Sequence, residues 1–466
     1  MNLKELLKIE SKKEIYSFRF YYDNSLLWPY IRTKFYSHFL YENDQTLNTN
    51  FNYSKKNYIK NLLKLNPYKI KDKDIFIFGT SADNTFKKEG KFFNRVHDYF
   101  NFVYPDNTAI LESSYNREFK LPRYFNHVYS NDIIKIKTTL ASKLKKINEN
   151  DYIMAKEFIK YIKKEISNDL DDYFYDDLYN TIINIASKIE YNFKFYEKFF
   201  IKTKPKIIFL NCGYYGGENY ILRIARSLNI KTAEFQHGLI SNNHIAYNYD
   251  DYLLNFEEYK YYIPEYYLSY GEYWNEQINI PGNVFTIGNP HFYEQIKKYK
   301  NIPSKKDTIL IPSQGTITKE MVEIAIFLAT EYKNYDIIFK LHPGELNSLN
   351  LIKPLEKYSN IFIKKDGDIF DYIAKSEIIV ACYSTTIFEA IGMGKKVYIL
   401  DNNYSRDNIP DKIGVWFRNC EELRNKINEN EDYSQKNNDI NYYFNNNWEK
   451  NYKYFIEEEV GIKLND

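Results

Sequence analysis

Two short clusters in this chain pair side chains that handle negative charge with positions where a helix leaves its amide protons free. One is His342-Pro343-Gly344-Glu345, directly after the apolar run Ile337-Ile338-Phe339-Lys340-Leu341. The other is Tyr383-Ser384-Thr385-Thr386, which follows Ile378-Ile379-Val380-Ala381-Cys382 and leads into Ile387-Phe388-Glu389-Ala390. An imidazole at one strand end, with hydroxyls and unpaired N–H groups at a helix start on a neighbouring one, suits an oxyanion, most naturally a phosphate. Pro343 fixes the turn that presents His342. Ser313-Gln314-Gly315 adds a third polar loop of the same kind, and Glu345 and Glu389 are candidates for the ribose or base of a nucleotide. Each residue also has a structural alternative. A lone strand-end histidine often serves only its own loop, Thr386 and Glu389 have the spacing of a capping box, and Glu345 suits an exposed loop acid.

Proton chemistry points to another place. Gln236-His237-Gly238 ends the run Lys231–Phe235, and a histidine titrates near neutrality, as a general base at physiological pH requires. His237 is the leading candidate to take a proton from an acceptor hydroxyl. Its rivals, as bases or as contacts to the acceptor, are Asp83, in the loop after Ile75–Gly79, and Glu218, in the turn Gly213-Tyr214-Tyr215-Gly216-Gly217-Glu218. That turn lacks the G-x-G-x-x-G spacing of a dinucleotide site and reads as a cleft wall. His244 and His291 read as loop-shaping residues. Of the two Asp-x-Asp triplets, Asp169-Leu170-Asp171 belongs to an acidic helical face, and Asp366-Gly367-Asp368 ends in a helix N-cap. Neither is assigned a metal, and no cofactor is expected. The charge of a bound phosphate falls to His342, the hydroxyls and the helix start.

The elements that must position these residues are apolar, β-branched runs alternating with helices, the pattern of parallel sheets covered on both faces. At 466 residues the chain exceeds one ordinary core, and the expectation is an α/β protein with two Rossmann-like domains facing across a cleft and a helical N-terminal extension. The divisions read as a basic helical segment over 1–73, a first Rossmann-like acceptor domain with a helical insertion over 74–260, a nucleotide-donor domain over 261–435, and a C-terminal helix over 436–466 that returns to the first domain. A net charge of +2 gives no reason to expect a nucleic-acid partner, and 48 tyrosines are a chain-wide bias and not stacking platforms. Cys212, Cys382 and Cys420 are too sparse for a disulfide framework and suit a reducing cytoplasm. The first residues lack the apolar core of a signal peptide. Lys55, Lys56, Lys60, Lys64, Lys69 and Lys71 read first as a solvated helix face and second as a contact with anionic lipid at the inner membrane.

The order of the motifs carries a resemblance. His237-Gly238, Gly288-Asn289-Pro290, Pro312-Ser313-Gln314, His342-Pro343 and Tyr383-Ser384-Thr385-Thr386-x-x-Glu389-Ala390 succeed one another as in the GT-B transferases that build bacterial surface polymers. The chain resembles the CDP-glycerol glycerophosphotransferases of teichoic-acid synthesis, the capsule β-Kdo transferases and the bacterial sialyltransferases over roughly residues 205–400. The resemblance implies a GT-B-like fold and a cytidine-activated donor, such as a CMP-sugar, with a glycan or lipid-linked glycan as acceptor. The stretch Phe235-Gln236-His237-Gly238-Leu239 departs from the Trp-His-Gly-Thr-Pro pattern of the glycerophosphotransferases, which favours a sugar transferase over a polyol-phosphate polymerase. Alternatives are a CDP-polyol phosphotransferase, a transferase or epimerase using a UDP- or dTDP-sugar, and a non-catalytic assembly partner that retains the nucleotide cleft.

Overall fold

The computed structural model describes residues 3–40, 53–166, 171–342, 345, 349–429 and 440–463. In chain order the strands are β1 (Ile75–Thr80), β2 (Phe86–Lys88), β3 (Lys91–Phe93), β4 (Thr108–Ser113), β5 (Val128–Ser130), β6 (Ile207–Leu210), β7 (Lys231–Phe235), β8 (Tyr266–Ser269) and β9 (Asn283–Thr286). They continue with β10 (Thr308–Pro312), β11 (Asp336–Lys340), β12 (Ile361–Lys364), β13 (Ile378–Ala381), β14 (Lys396–Leu400) and β15 (Val415–Phe417). Apart from the β2–β3 hairpin they form two parallel sheets, ordered β5-β4-β1-β6-β7-β8-β9 and β12-β11-β10-β13-β14-β15. In each sheet the winding reverses once, between β1 and β6 and between β10 and β13. A doubly wound sheet opens a crevice beyond the carboxyl ends of its strands at that reversal. This is the two-domain, GT-B-like α/β architecture.

Strand alternation explains how both faces are buried. Ile75 and Ile77 join Phe209 and Phe455 on one face of the first sheet, while Phe76 and Phe78 pack with Phe199 and Phe200 on the other. Those last two residues belong to the helix Asp172–Thr203, which Asp171 caps by accepting the Phe174 N–H at 2.9 Å. In the second sheet Ile309 and Ile311 pack against Met321 and Leu328 of the helix Thr318–Glu331. No described helix is long and apolar enough to cross a membrane.

Two of the expected divisions change. The unit drawn from 261 loses its first two strands, because β8 pairs with β7 and β9 with β8 in the first sheet. Gly288-Asn289-Pro290 therefore lies at the exit from the first sheet, where Asn289 caps the helix Pro290–Tyr299. The N-terminal segment, in turn, is built into the first domain. Arg32 is buried in an ion pair with Glu10 and donates to the carbonyls of Ile245 and Asn248, the latter at 2.6 Å. Among its described elements only the helix Lys55–Lys64 buries no residue and matches a solvated lysine face.

After residue 440 the chain crosses back over the first sheet. Asn445 donates to the Tyr270 carbonyl at 2.7 Å, and Tyr452 packs on Phe100. Gly288, at φ +100°, permits this crossing, since a Cβ there would lie 2.5 Å from the Asn445 carbonyl oxygen.

Candidate functional site

At the second sheet's reversal, the loops after β10, β11 and β13 interlock. Glu345 is the pin. Its Oε1 accepts from Ser313 Oγ at 2.7 Å and Thr318 Oγ1 at 2.6 Å, and its Oε2 from the His342 N–H at 2.7 Å. With both oxygens engaged and 2% exposure, Glu345 braces the loops and is neither a ribose contact nor an exposed acid. Ser313 is likewise buried beside it, whereas Gln314 and Gly315 are half-buried and open the short turn Gly315–Ile317. Thr316 Oγ1 meets the Tyr383 hydroxyl at 2.6 Å, which ties the loop after β10 to the loop after β13. Pro343 lies outside the described residues, as does Asp169.

Ser384, not Thr386, is the N-cap of the helix Thr385–Gly392. Its Oγ accepts the Thr386 N–H at 3.2 Å and donates to Thr386 Oγ1 at 3.1 Å. The capping box expected of Thr386 and Glu389 is thereby corrected, because the helix starts one residue before Thr386. Tyr383, Ser384 and Thr385 are half-buried at this helix start. Glu389 lies a turn further in and is buried. Burial chiefly, with Asp368 adding and Arg95 opposing, pushes its carboxyl up to about 7. His342 faces outward at the end of β11. Desolvation first, with Lys340 and Arg95 adding to it against Glu345, holds its imidazole below the ordinary value. It is therefore mainly neutral at pH 7, a form in which one ring nitrogen carries a proton.

The first sheet's edge is different. His237 keeps 27% of its side chain exposed at the end of β7, and its Nδ1 lies 3.8 Å from Glu234 Oε1, just beyond hydrogen-bond reach. Burial holds His237 below the ordinary histidine range, against the Phe235 backbone and the charge of Asp83. A neutral imidazole is the form a general base needs. Glu234 is fully buried and accepts from the Tyr247 hydroxyl at 2.6 Å and the Tyr214 N–H at 3.0 Å, and burial pushes it up to about 8. Asp83 sits at the reversal between β1 and β6, where it accepts from Asn211 at 2.9 Å. Glu218 is paired with Lys135 at 3.5 Å. Gly216, at φ +87°, serves backbone packing, because a Cβ would lie 2.5 Å from the Pro29 carbonyl oxygen, whereas Gly217 faces open space. His244 and His291 shape loops, through Ala246 N–H and Tyr215, and through Tyr99, respectively. Asp368 caps the helix Ile369–Lys375. Among the described residues no group of three or more His, Cys, Asp or Glu is placed to hold a metal ion.

The two edges face each other. Ser241, beyond β7, donates to Asn408 of the second domain at 2.9 Å, and Asn243 donates to the Asp407 carbonyl at 3.3 Å. Tyr270, at the end of β8, feels the charges of both Arg95 and Glu389. Two residues here escape a reading of the sequence. Glu234 sits inside a strand whose period alone gives no hint of an inward acid near His237. Arg95 follows a hairpin that the apolar pattern does not show.

No family model matches the chain. The uncharacterized protein MJ1060 of Methanocaldococcus jannaschii is 28% identical over 326 residues, 64% of this chain and 55% of that protein. The chain thus spans about half the length of the curated relative it matches. Among solved structures, a UDP-GlcNAc 2-epimerase from Neisseria meningitidis bound to UDP-GlcNAc is similar at 15% identity and a TM-score of 0.49, covering 83% of this chain and 99% of that one. A glycosyltransferase from Rickettsia africae is similar at 15% identity and a TM-score of 0.41, covering 84% and 100%. Likenesses this distant assign no reaction.

Proposed function

We propose that the cleft binds a nucleotide-activated sugar and transfers the sugar to a glycan hydroxyl. The observation that carries this reading is the interlocked anion-facing edge at the second sheet's reversal, Thr316 to Tyr383 with His342 on the next strand, opposite His237. The donor's phosphate sits at the Ser384-Thr385-Thr386 helix start, where the Thr385 N–H, the helix dipole and the hydroxyls neutralise it. His237 removes the proton of the acceptor hydroxyl, and that oxygen forms the new bond to the anomeric carbon. The bond from that carbon to the phosphate oxygen breaks, and its electron pair leaves with the nucleotide, stabilised by the helix start and a hydrogen bond from His342. Glu389 lies close enough to this helix start to receive the ribose. The resemblance to cytidine-dependent transferases supports CMP or CDP as the carrier, and no metal enters the scheme.

A thermal-shift series with cytidine, CMP, CDP, UDP and dTDP tests the reading. A ligand that binds only the native state stabilises it by about 2.7 kcal/mol at a hundredfold excess over its dissociation constant. CMP and CDP are expected to shift the protein most and cytidine least. A larger shift with UDP or dTDP replaces the cytidine donor and brings forward the UDP-sugar transferase or epimerase. A failure of all these nucleotides to shift the protein overturns the reading.

The acceptor side supports a second, smaller proposal. Ile59 and Leu63 stand 58% and 69% exposed on the lysine-rich helix Lys55–Lys64, an apolar and cationic face suited to anionic lipid at the inner membrane. Co-sedimentation with phosphatidylglycerol vesicles, lost in high salt and in Ile59→Asp, is the expected result. Equal recovery with neutral vesicles contradicts it.

A further inference from the structure

The loop between β3 and the turn Phe100–Phe102 is a rigid mount for one cation. Asn94, His97, Asp98 and Tyr99 are buried, and Arg95 between them is exposed. The loop is tied to itself, with the Asn94 N–H donating to Asp98 Oδ2 at 2.8 Å and the Val96 N–H to Asn94 Oδ1 at 2.9 Å. Below it, Arg123 pairs with Asp98 at 3.0 Å and with Glu112, at the end of β4, at 2.7 Å. At its side, the Tyr99 hydroxyl meets His291 Nδ1 at 3.0 Å, and His291 in turn packs on Phe370. The loop is thus wedged against the first turns of the helices Pro290–Tyr299 and Ile369–Lys375.

From this mount Arg95 acts electrostatically on His342, Asp368, Glu389 and Tyr270, residues of both edges of the cleft. Yet among the described residues it makes no hydrogen bond or ion pair. Neither nearby acid is hydrogen-bonded to it. Burial pushes the Glu389 carboxyl up to about 7, and Asp368 Oδ1 accepts the Phe370 N–H of its own helix at 3.1 Å. A preorganised guanidinium left open beside a phosphate site is suited to an anion that presents two oxygens.

The geometry points to Arg95 as the first domain's ligand for a second oxyanion of the donor, beyond the phosphate held at the Ser384 helix start. This rests on the nucleotide-sugar reading above and sharpens it. Two donor classes carry such a group. A nucleoside diphosphate sugar presents a second phosphate, and a CMP-linked ulosonic acid presents a sugar carboxylate. Arg95 also bridges the two domains through the ligand, so the donor closes the cleft on itself.

Calorimetric titration of wild type, Arg95→Met and Arg95→Lys with CMP, CDP, UDP and CMP-N-acetylneuraminate tests this. Wild type is expected to bind at least one of the last three tighter than CMP, and Arg95→Met to weaken that ligand by about tenfold to a hundredfold while leaving CMP unchanged. Arg95→Lys, a point charge without the fork, should recover part of the loss. Selective loss of CDP and UDP assigns the second phosphate, and selective loss of CMP-N-acetylneuraminate assigns the carboxylate. Unchanged affinities in Arg95→Met overturn the role, as does an equal loss for all four ligands, which marks a structural arginine. If wild type binds none of the four, the nucleotide reading itself fails, and Arg95's role falls with it. The melting temperature without ligand should be the same in all three proteins, since Arg95 is exposed and unpaired among the described residues.

Discussion

The two sheets share one winding, reversed after the same strand and extended by one further strand in the first, but their carboxyl edges are finished with different chemistry. The second sheet ends in hydroxyls, a capped helix start and an outward histidine, and its acids are either pinned, as Glu345 is, or pushed up by burial, as Glu389 is. The first sheet ends in proton carriers, with His237 near Glu234 and Asp83 at the reversal. The shared topology decides where a ligand sits, and the loop residues decide what happens to it. One edge is furnished for charge and the other for protons.

The largest expected effect tests that division directly. His237→Ala should cut turnover by about a hundredfold to ten-thousandfold, the scale of a lost general base, with nucleotide affinity little changed. Parallel turnover and calorimetric measurements check it, and a matching loss of affinity dissolves the distinction between the edges. His342→Ala should fold and lose roughly a hundredfold or more in turnover at saturating donor, because it removes a donor to the leaving phosphate. Near wild-type turnover excludes that role.

Ser384→Ala sits on the other side of the comparison. It should weaken CMP by about tenfold while leaving cytidine unaffected, the difference being the phosphate. Because Ser384 is also the N-cap, its loss costs the unliganded protein about 0.5–2 kcal/mol. Ser384→Gly, a milder cap loss, should reproduce the affinity defect with most of the stability restored. If the affinity recovers together with the stability, Ser384 is only a cap.

The smallest effect concerns pH. Glu234 titrates at about 8 in the folded protein against an ordinary 4.5, so the folded state holds its proton more tightly than the unfolded chain does. This group's contribution is fully present below about 4.5 and declines as pH rises toward 8, and Glu389 acts with the same sign up to about 7. Between pH 5 and pH 8.5 the melting temperature of Glu234→Gln should therefore fall less than that of wild type. Identical slopes in thermal melts at the two pH values contradict the assignment.

Much of this architecture was legible in the sequence, because parallel strands buried on both faces announce themselves as apolar runs, as in Ile378–Ala381. The polar clusters that end them were legible for the same reason, since each marks the place where burial stops. What period and motif leave open is tertiary. The sequence reading placed β8 and β9 in the second unit because strand pattern says nothing about pairing partner. Spacing leaves Glu345 open as a ribose contact because its two side-chain partners, Ser313 and Thr318, lie on a different strand–helix unit. Glu234 and Arg95 became visible only when the first sheet's edge was folded against the second.

A crystal structure with CDP bound tests the central claim most directly. The account predicts a phosphate within hydrogen-bond distance of the Ser384 hydroxyl and of the Thr385 N–H that opens the helix Thr385–Gly392, with His342 donating to it and His237 facing it across an open acceptor space. A nucleotide whose phosphate lies instead on the first sheet's edge, against His237 and Asp83, would contradict it.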